Sequence, residues 1–135
     1  MLSTNGIKAF QGMKYQLAPI FNGLKRKKIK HYLGERNNFG QVYLIRNCLF
    51  EPSVYKNNDS VDSCIWEITN SFFWNKPAII SSHRLNFIGS IRKDNREVNL
   101  RLLSELIRKI LIKWPDAEFM SSPRLSDIII EDKNL

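Results

Sequence analysis

At 135 residues, with 43% apolar and 11% aromatic side chains, the chain is long and apolar enough to bury a core, which excludes a disordered tail. No apolar run approaches the ~20 residues of a membrane-spanning helix. Residues 1–6 lack the charged and apolar segments of a secretion signal, so the chain as written is expected to stay cytoplasmic, while a longer parent can be exported. The net charge of +8 is uneven: residues 1–50 carry nine Lys/Arg against the single acid Glu35, and residues 51–135 balance at twelve of each.

Taken in order, Ile7, Phe10 and Tyr15, interrupted by Gly12, predict a short strand followed by a loop. The basic run Lys25, Arg26, Lys27, Lys28 and Lys30 then reads in two ways. It is either a solvated loop between strands or a site for a polyanion such as nucleic acid, acidic polysaccharide or anionic lipid. No aromatic residue inside the run offers a base a stacking surface. Residues 30–33 suit another short strand ended by Gly34, and residues 35–40 have the Asn and Gly content of a turn. Residues 41–49 are a β-rich apolar run, closed by Glu51, Pro52 and Ser53.

A first helix is predicted from Asp59 and Ser60, both good caps, with Val61, Ile65, Ile68 and Phe72 on one stripe beside Cys64 and with Ser63, Glu67 and Asn70 opposite. It must end before Pro77, and residues 78–82 follow as a short buried strand. The second helix is expected to be capped by Asp94, with Glu97 completing a capping box. Its apolar line runs through Leu103, Ile107, Ile110 and Trp114, with Leu100, Leu106 and Leu111 beside it. Arg101, Glu105, Arg108 and Lys109 lie opposite. Ile112 stands among the charges, as an ordinary exposed side chain or as a contact for another protein. Pro115 ends this helix, residues 117–120 read as a strand, and residues 123–129 open a short last helix. Alternation of strand and helix is the order of parallel strands with crossover helices, so the fold class expected is α/β. The chain is read as a single unit, with a basic strand-and-loop part over 1–58 and a βα part over 59–135.

Chemistry in such folds gathers beyond the C-terminal ends of the strands. That rule points to Ser82, His83, Arg84 and Asn86, where His83 can exchange protons near neutral pH. The alternative is that His83 and Arg84 merely satisfy loop carbonyls. Cys48 and Cys64 sit in apolar stretches and are expected to be buried thiols rather than a disulfide or a metal knuckle. With only His31 and His83, no three-ligand zinc set is evident, and His31 with Glu35 would pair as metal ligands only on a helix that Gly34 opposes.

Residues 73–87 (FWNKPAIISSHRLNF), 95–96, 114–122 (WPDAEFMSS) and 46–52 (RNCLFEP) resemble the last part of bacterial proteins related to polysaccharide deacetylases and barrel glycosidases. The resemblance implies the last βα units of a distorted (β/α) barrel and a hydrolase that removes acetyl groups from amino sugars with a divalent, zinc-like metal. An aliphatic residue three before a histidine, matched by Ile80 and His83, implies that His83 is the general acid protonating the leaving group. Arg84 and Asn86 would then contact the carbohydrate. The family's early aspartate pair and H-x-x-x-H ligands have no counterpart here, so the metal would belong to a missing N-terminal part. The chain is then either a C-terminal piece, inactive alone, or related by scaffold only. Two readings from other classes stand beside this one: a small basic module holding a polyanion through Lys25–Lys30, and an interaction subunit that completes a partner's barrel or self-associates.

Overall fold

The computed structural model describes residues 6–54, 59–88 and 93–132. The elements in order are β1 (Ala9–Gly12), β2 (Tyr15–Ile20), β3 (Lys25–Lys30), β4 (Val42–Ile45), β5 (Cys48–Leu49), α1 (Asp59–Phe73), β6 (Ile80–Ser81), a 3₁₀ turn (Arg84–Phe87), α2 (Lys93–Lys113) and α3 (Ser122–Glu131). The fold is mixed α/β with short strands. Among the described residues they form three separate two-stranded sheets: β1–β4 and β5–β6 parallel, β2–β3 antiparallel. None of these sheets closes on itself. The chain divides into two compact units, Asn47–Glu118 and Met1–Arg46 with Phe119–Leu135. The division follows contacts at 46/47 and 118/119 rather than the change of composition near residue 58.

The Asn47–Glu118 unit is a β5–α1–β6 crossover with α2 laid against α1. Its core joins Cys48 on β5 and Phe50 just after it, Val61, Cys64 and Ile68 on α1, and Leu102, Leu106 and Ile110 on α2. Burying each large side chain contributes roughly 1.5–3 kcal/mol. Phe72 meets Trp114 edge-on at 5.0 Å, closing the far end of that core. Asn47 splices the two strands: its side-chain oxygen accepts from the Ile79 amide at 2.7 Å, and its Nδ2 donates to Ser71 and to the Pro77 carbonyl.

Several expectations need correction here. The buried line of α2 runs through Leu102, Leu106 and Ile110, while Ile107, Leu100 and Leu111 are exposed. The helix has apolar residues on two adjacent lines, and polar Asn99, fully buried, lies on the one that faces inward. Asp94 lies inside the first turn rather than capping it; the position ahead of Lys93 is outside the described residues. Glu67 does not face solvent freely, because its Oε2 accepts the Leu49 amide at 2.6 Å. Residues 117–120 form no strand; Ala117 instead packs on the core. Ile112 is exposed, as its place among the charges suggests.

In the other unit, β1 and β4 pair in parallel, and α3, with proline in its first turn, packs on both. Val42, Leu44, Ile45 and Ile129 are its buried apolar side chains. The turn at 35–40 is held by Asn37, whose Oδ1 accepts from the amides of Phe39 and Gln41. Gly40, at φ 74°, completes it. The basic run is not a loop: it is strand β3, paired residue for residue with β2 from Tyr15↔Lys30 to Ile20↔Lys25.

Candidate proton-transfer site

The register Cys48↔Ile80 and Leu49↔Ser81 brings the ends of β5 and β6 side by side, and Phe50 extends the ladder by donating to the Ser81 carbonyl at 2.9 Å. Two residues beyond each strand stand Glu51 and His83. They meet: His83 Nδ1 lies 2.7 Å from Glu51 Oε1, and the His83 backbone amide donates to the same oxygen at 2.8 Å. The carboxylate side chain is only 9% exposed while the imidazole is 73% exposed. A carboxylate accepts and cannot donate, so Nδ1 carries the proton and Nε2 is turned to the outside.

A buried carboxylate is tolerated only when donors surround it. Asn86, itself buried, supplies the next one, with Nδ2 donating to Glu51 Oε2 at 2.8 Å. The Asn86 Oδ1 accepts from the Ser53 amide, and its backbone carbonyl takes a 2.7 Å bond from Asn99 of α2. Asn99 and Asn95 both donate to the Ser53 hydroxyl oxygen. Glu51, Asn86, Ser53 and Asn99 thus form one network that ties the ends of both strands to α2. The hollow above it, about 480 Å³, is bounded by His83, Ser53 and Asn95 on the polar side and by Val54, Leu85 and Ile88 on the apolar side.

Of the residues singled out from sequence, His83 lines this hollow with its ring largely exposed, whereas Arg84, exposed at the start of the 3₁₀ turn, does not line it. Asn86 is committed to positioning Glu51 and the loop rather than to an outside ligand. Sequence reasoning missed Glu51, Ser53 and Asn99. The matching offset of Glu51 and His83 beyond β5 and β6 becomes visible only once the strand ends are known.

The remaining candidates lie elsewhere. His31 and Glu35 do pair, at 2.9 Å, but in a loop, and the second ring nitrogen of His31 is taken by Gln16 at 2.9 Å. With the ring stacked 4.2 Å from Tyr43, His31 is a fastening and not a free base. A larger hollow of about 700 Å³ opens beside it, lined by Phe10, Tyr15, Phe39 and Tyr43. Gln16 pairs there with His31 and Asn37 with Gln41, so size alone does not make it the reactive site. Lys25, Arg26, Lys27, Lys28 and Lys30 are exposed along β3. The aromatic neighbour absent from that run comes from the paired strand: Lys28 Nζ sits 3.9 Å from the Tyr15 ring centre.

Cys48 and Cys64 are buried free thiols, and burial is the first cause raising them, to about 11 and about 12. Neither is a nucleophile near neutral pH. Among the described residues no three His, Cys, Asp or Glu side chains converge as a metal site. Glu51 and His83 offer two donors where a catalytic zinc wants three protein ligands, so the residues present do not fit the ion that the resemblance implies. No described helix is long and apolar enough to cross a membrane.

Fold and site together define a mixed α/β protein with a carboxylate-oriented histidine at adjacent strand ends. No family model, curated protein or solved structure matches the chain.

Proposed function

We propose that the Asn47–Glu118 unit supplies one wall of a carbohydrate-processing site, as the last βα units of a polysaccharide deacetylase-like barrel, with His83 as general acid. The carrying observation is the His83–Glu51 pair, in which the Nδ1–H donates to a buried carboxylate and the largely exposed ring lines a hollow. When His83 is protonated, Glu51 offsets the imidazolium charge and fixes the ring plane. The Nε2 proton is then aimed at an outside atom, such as the amine leaving an N-acetyl group. Arg84 stands ready to hydrogen-bond a sugar hydroxyl. The parallel β5–α1–β6 crossover supports the barrel reading, because sites of such folds lie at these strand ends. Exposed Trp66, Phe73 and Ile112 support a partner or missing segment bearing the metal ligands, with which the wall becomes catalytic.

The test is a titration of the isotope-labelled chain with a chito-oligosaccharide, followed by NMR. Resonances of His83, Arg84 and Ser53 are expected to move while those of β2 and β3 do not, and His83→Ala should abolish the response. No movement around His83 at saturating sugar would overturn the proposal. The chain alone is expected to release no acetate.

A further inference from the structure

The β2–β3 hairpin is built against the ordinary logic of a folded ribbon. A two-stranded hairpin is marginal in water unless one face is covered; here Tyr15, Leu17 and Pro19 on β2 and Arg26, Lys28 and Lys30 opposite them leave one face exposed, while Ala18, Ile20 and Ile29 on the other are only half-buried. Among the described residues neither strand joins another sheet. Its base is fastened by the His31 amide donating to the Lys14 carbonyl at 2.9 Å and by the Gln16–His31 bond. Its tip is closed by two local backbone bonds, Gly23 amide to Ile20 carbonyl at 3.2 Å and Leu24 amide to Phe21 carbonyl at 3.1 Å.

That tip is Phe21-Asn22-Gly23-Leu24, where Phe21 is 71% and Leu24 87% exposed. Phe21 and Asn22 both take left-handed backbone, at φ 49° and 53°, before Gly23 at 88°. A bulky side chain in that region is unfavourable, so a phenylalanine there is neither a turn former nor a core residue. Directly behind the tip come Lys25, Arg26, Lys27 and Lys28, then Lys30, and residues 13–34 contain no acid at all. The Lys25 ammonium lies 5.6 Å from the Phe21 ring centre, so ring and cation are presented together.

We propose that this hairpin is an insertion device for an anionic lipid surface. Phe21 and Leu24 enter the boundary between headgroups and acyl chains, and the β3 cations lie among the phosphates. Apolar side chains at the extremity with a girdle of one charge sign behind them match the layered chemistry of a bilayer face. A nucleic acid would use the cations and could stack a base on Phe21, but it has no apolar layer for the aliphatic Leu24. The hairpin belongs to the other unit from His83, and the inference stands independently of the carbohydrate reading.

The experiment is co-sedimentation of the full chain with vesicles of phosphatidylcholine, alone or with about one-third phosphatidylserine. Binding is expected only to the charged vesicles and should weaken as salt rises. Phe21→Asn with Leu24→Asn keeps every charge and should lower affinity about tenfold or more, and neutralising positions 25–28 to Gln should remove binding. Circular dichroism checks the fold. Should the double variant misfold, Leu24→Gln alone, at an exposed position of ordinary backbone, reads the same loss. Three results would each overturn the proposal: no binding to charged vesicles, tip variants that bind like the parent, or stronger binding to a single-stranded oligonucleotide than to the vesicles.

Discussion

The Asn47–Glu118 unit and the β2–β3 hairpin solve opposite problems. The first joins strand ends and helices through one apolar cluster and one polar network, so that its strand-end loops are held from several sides. The second is held by its own ladder and a fastening at the base, and exposes apolar and cationic side chains alike. The contrast teaches that anchorage to a buried partner, not regular structure, marks where a side chain can be oriented: His83 is itself exposed but is held by buried Glu51. Proton transfer needs that orientation, whereas adhesion to a surface needs only composition and reach.

Truncations should separate the two regions most widely. Phe50→Ala, in the cluster beside Glu51, is expected to cost about 3–5 kcal/mol and Leu106→Ala about 2–5 kcal/mol. Leu24→Ala at the hairpin tip should fall within about 0.5 kcal/mol. Urea denaturation of the three variants checks this, and equal losses would mean that the hairpin is packed after all. Asn99→Ala comes next, at about 1–3 kcal/mol, because it strips a donor from the buried Asn86 carbonyl and from the Ser53 hydroxyl.

The buried thiols give a pH signature. Both are raised in the folded state above the ordinary value of 9.0. The unfolded chain therefore loses these protons first as pH rises. Their contribution to stability is complete below pH 9.0 and is lost on the way to about 11 and about 12. Stability measured across that interval should fall, and a thiol reagent near neutral pH should react only after denaturant is added. A small effect is also expected at a surface ion pair. Lys109, whose ammonium is bonded first to Asp62 at 2.7 Å and then to Glu105 at 3.2 Å, is raised by those contacts. Lys109→Ala should still cost no more than about 1 kcal/mol.

The helices were legible because their signals are local. Apolar spacing announces α1 and α2, and Pro115 and Pro123 mark where α2 stops and α3 starts. What failed was non-local or masked by charge. The hairpin was hidden because five of the six residues of β3 are basic, leaving no apolar alternation for a strand to display. The stretch 117–120 looks like a strand but finds no partner chain to pair with among the described residues. Two apolar lines on α2 left the choice of inner face to tertiary packing, which buries Leu102. His83 was legible from its place after a strand. Glu51 was not, since its partner stands 32 residues away and only the pairing of β5 with β6 joins them.

The most direct test of the central claim is the tautomer of His83, read by NMR correlation of the imidazole nitrogens with the ring protons. The account predicts that neutral His83 carries its proton on Nδ1, held by Glu51, and that Glu51→Gln weakens this bias while the fold persists. A neutral ring protonated mainly on Nε2, unchanged by Glu51→Gln, would contradict the claim that Glu51 orients the histidine for proton transfer.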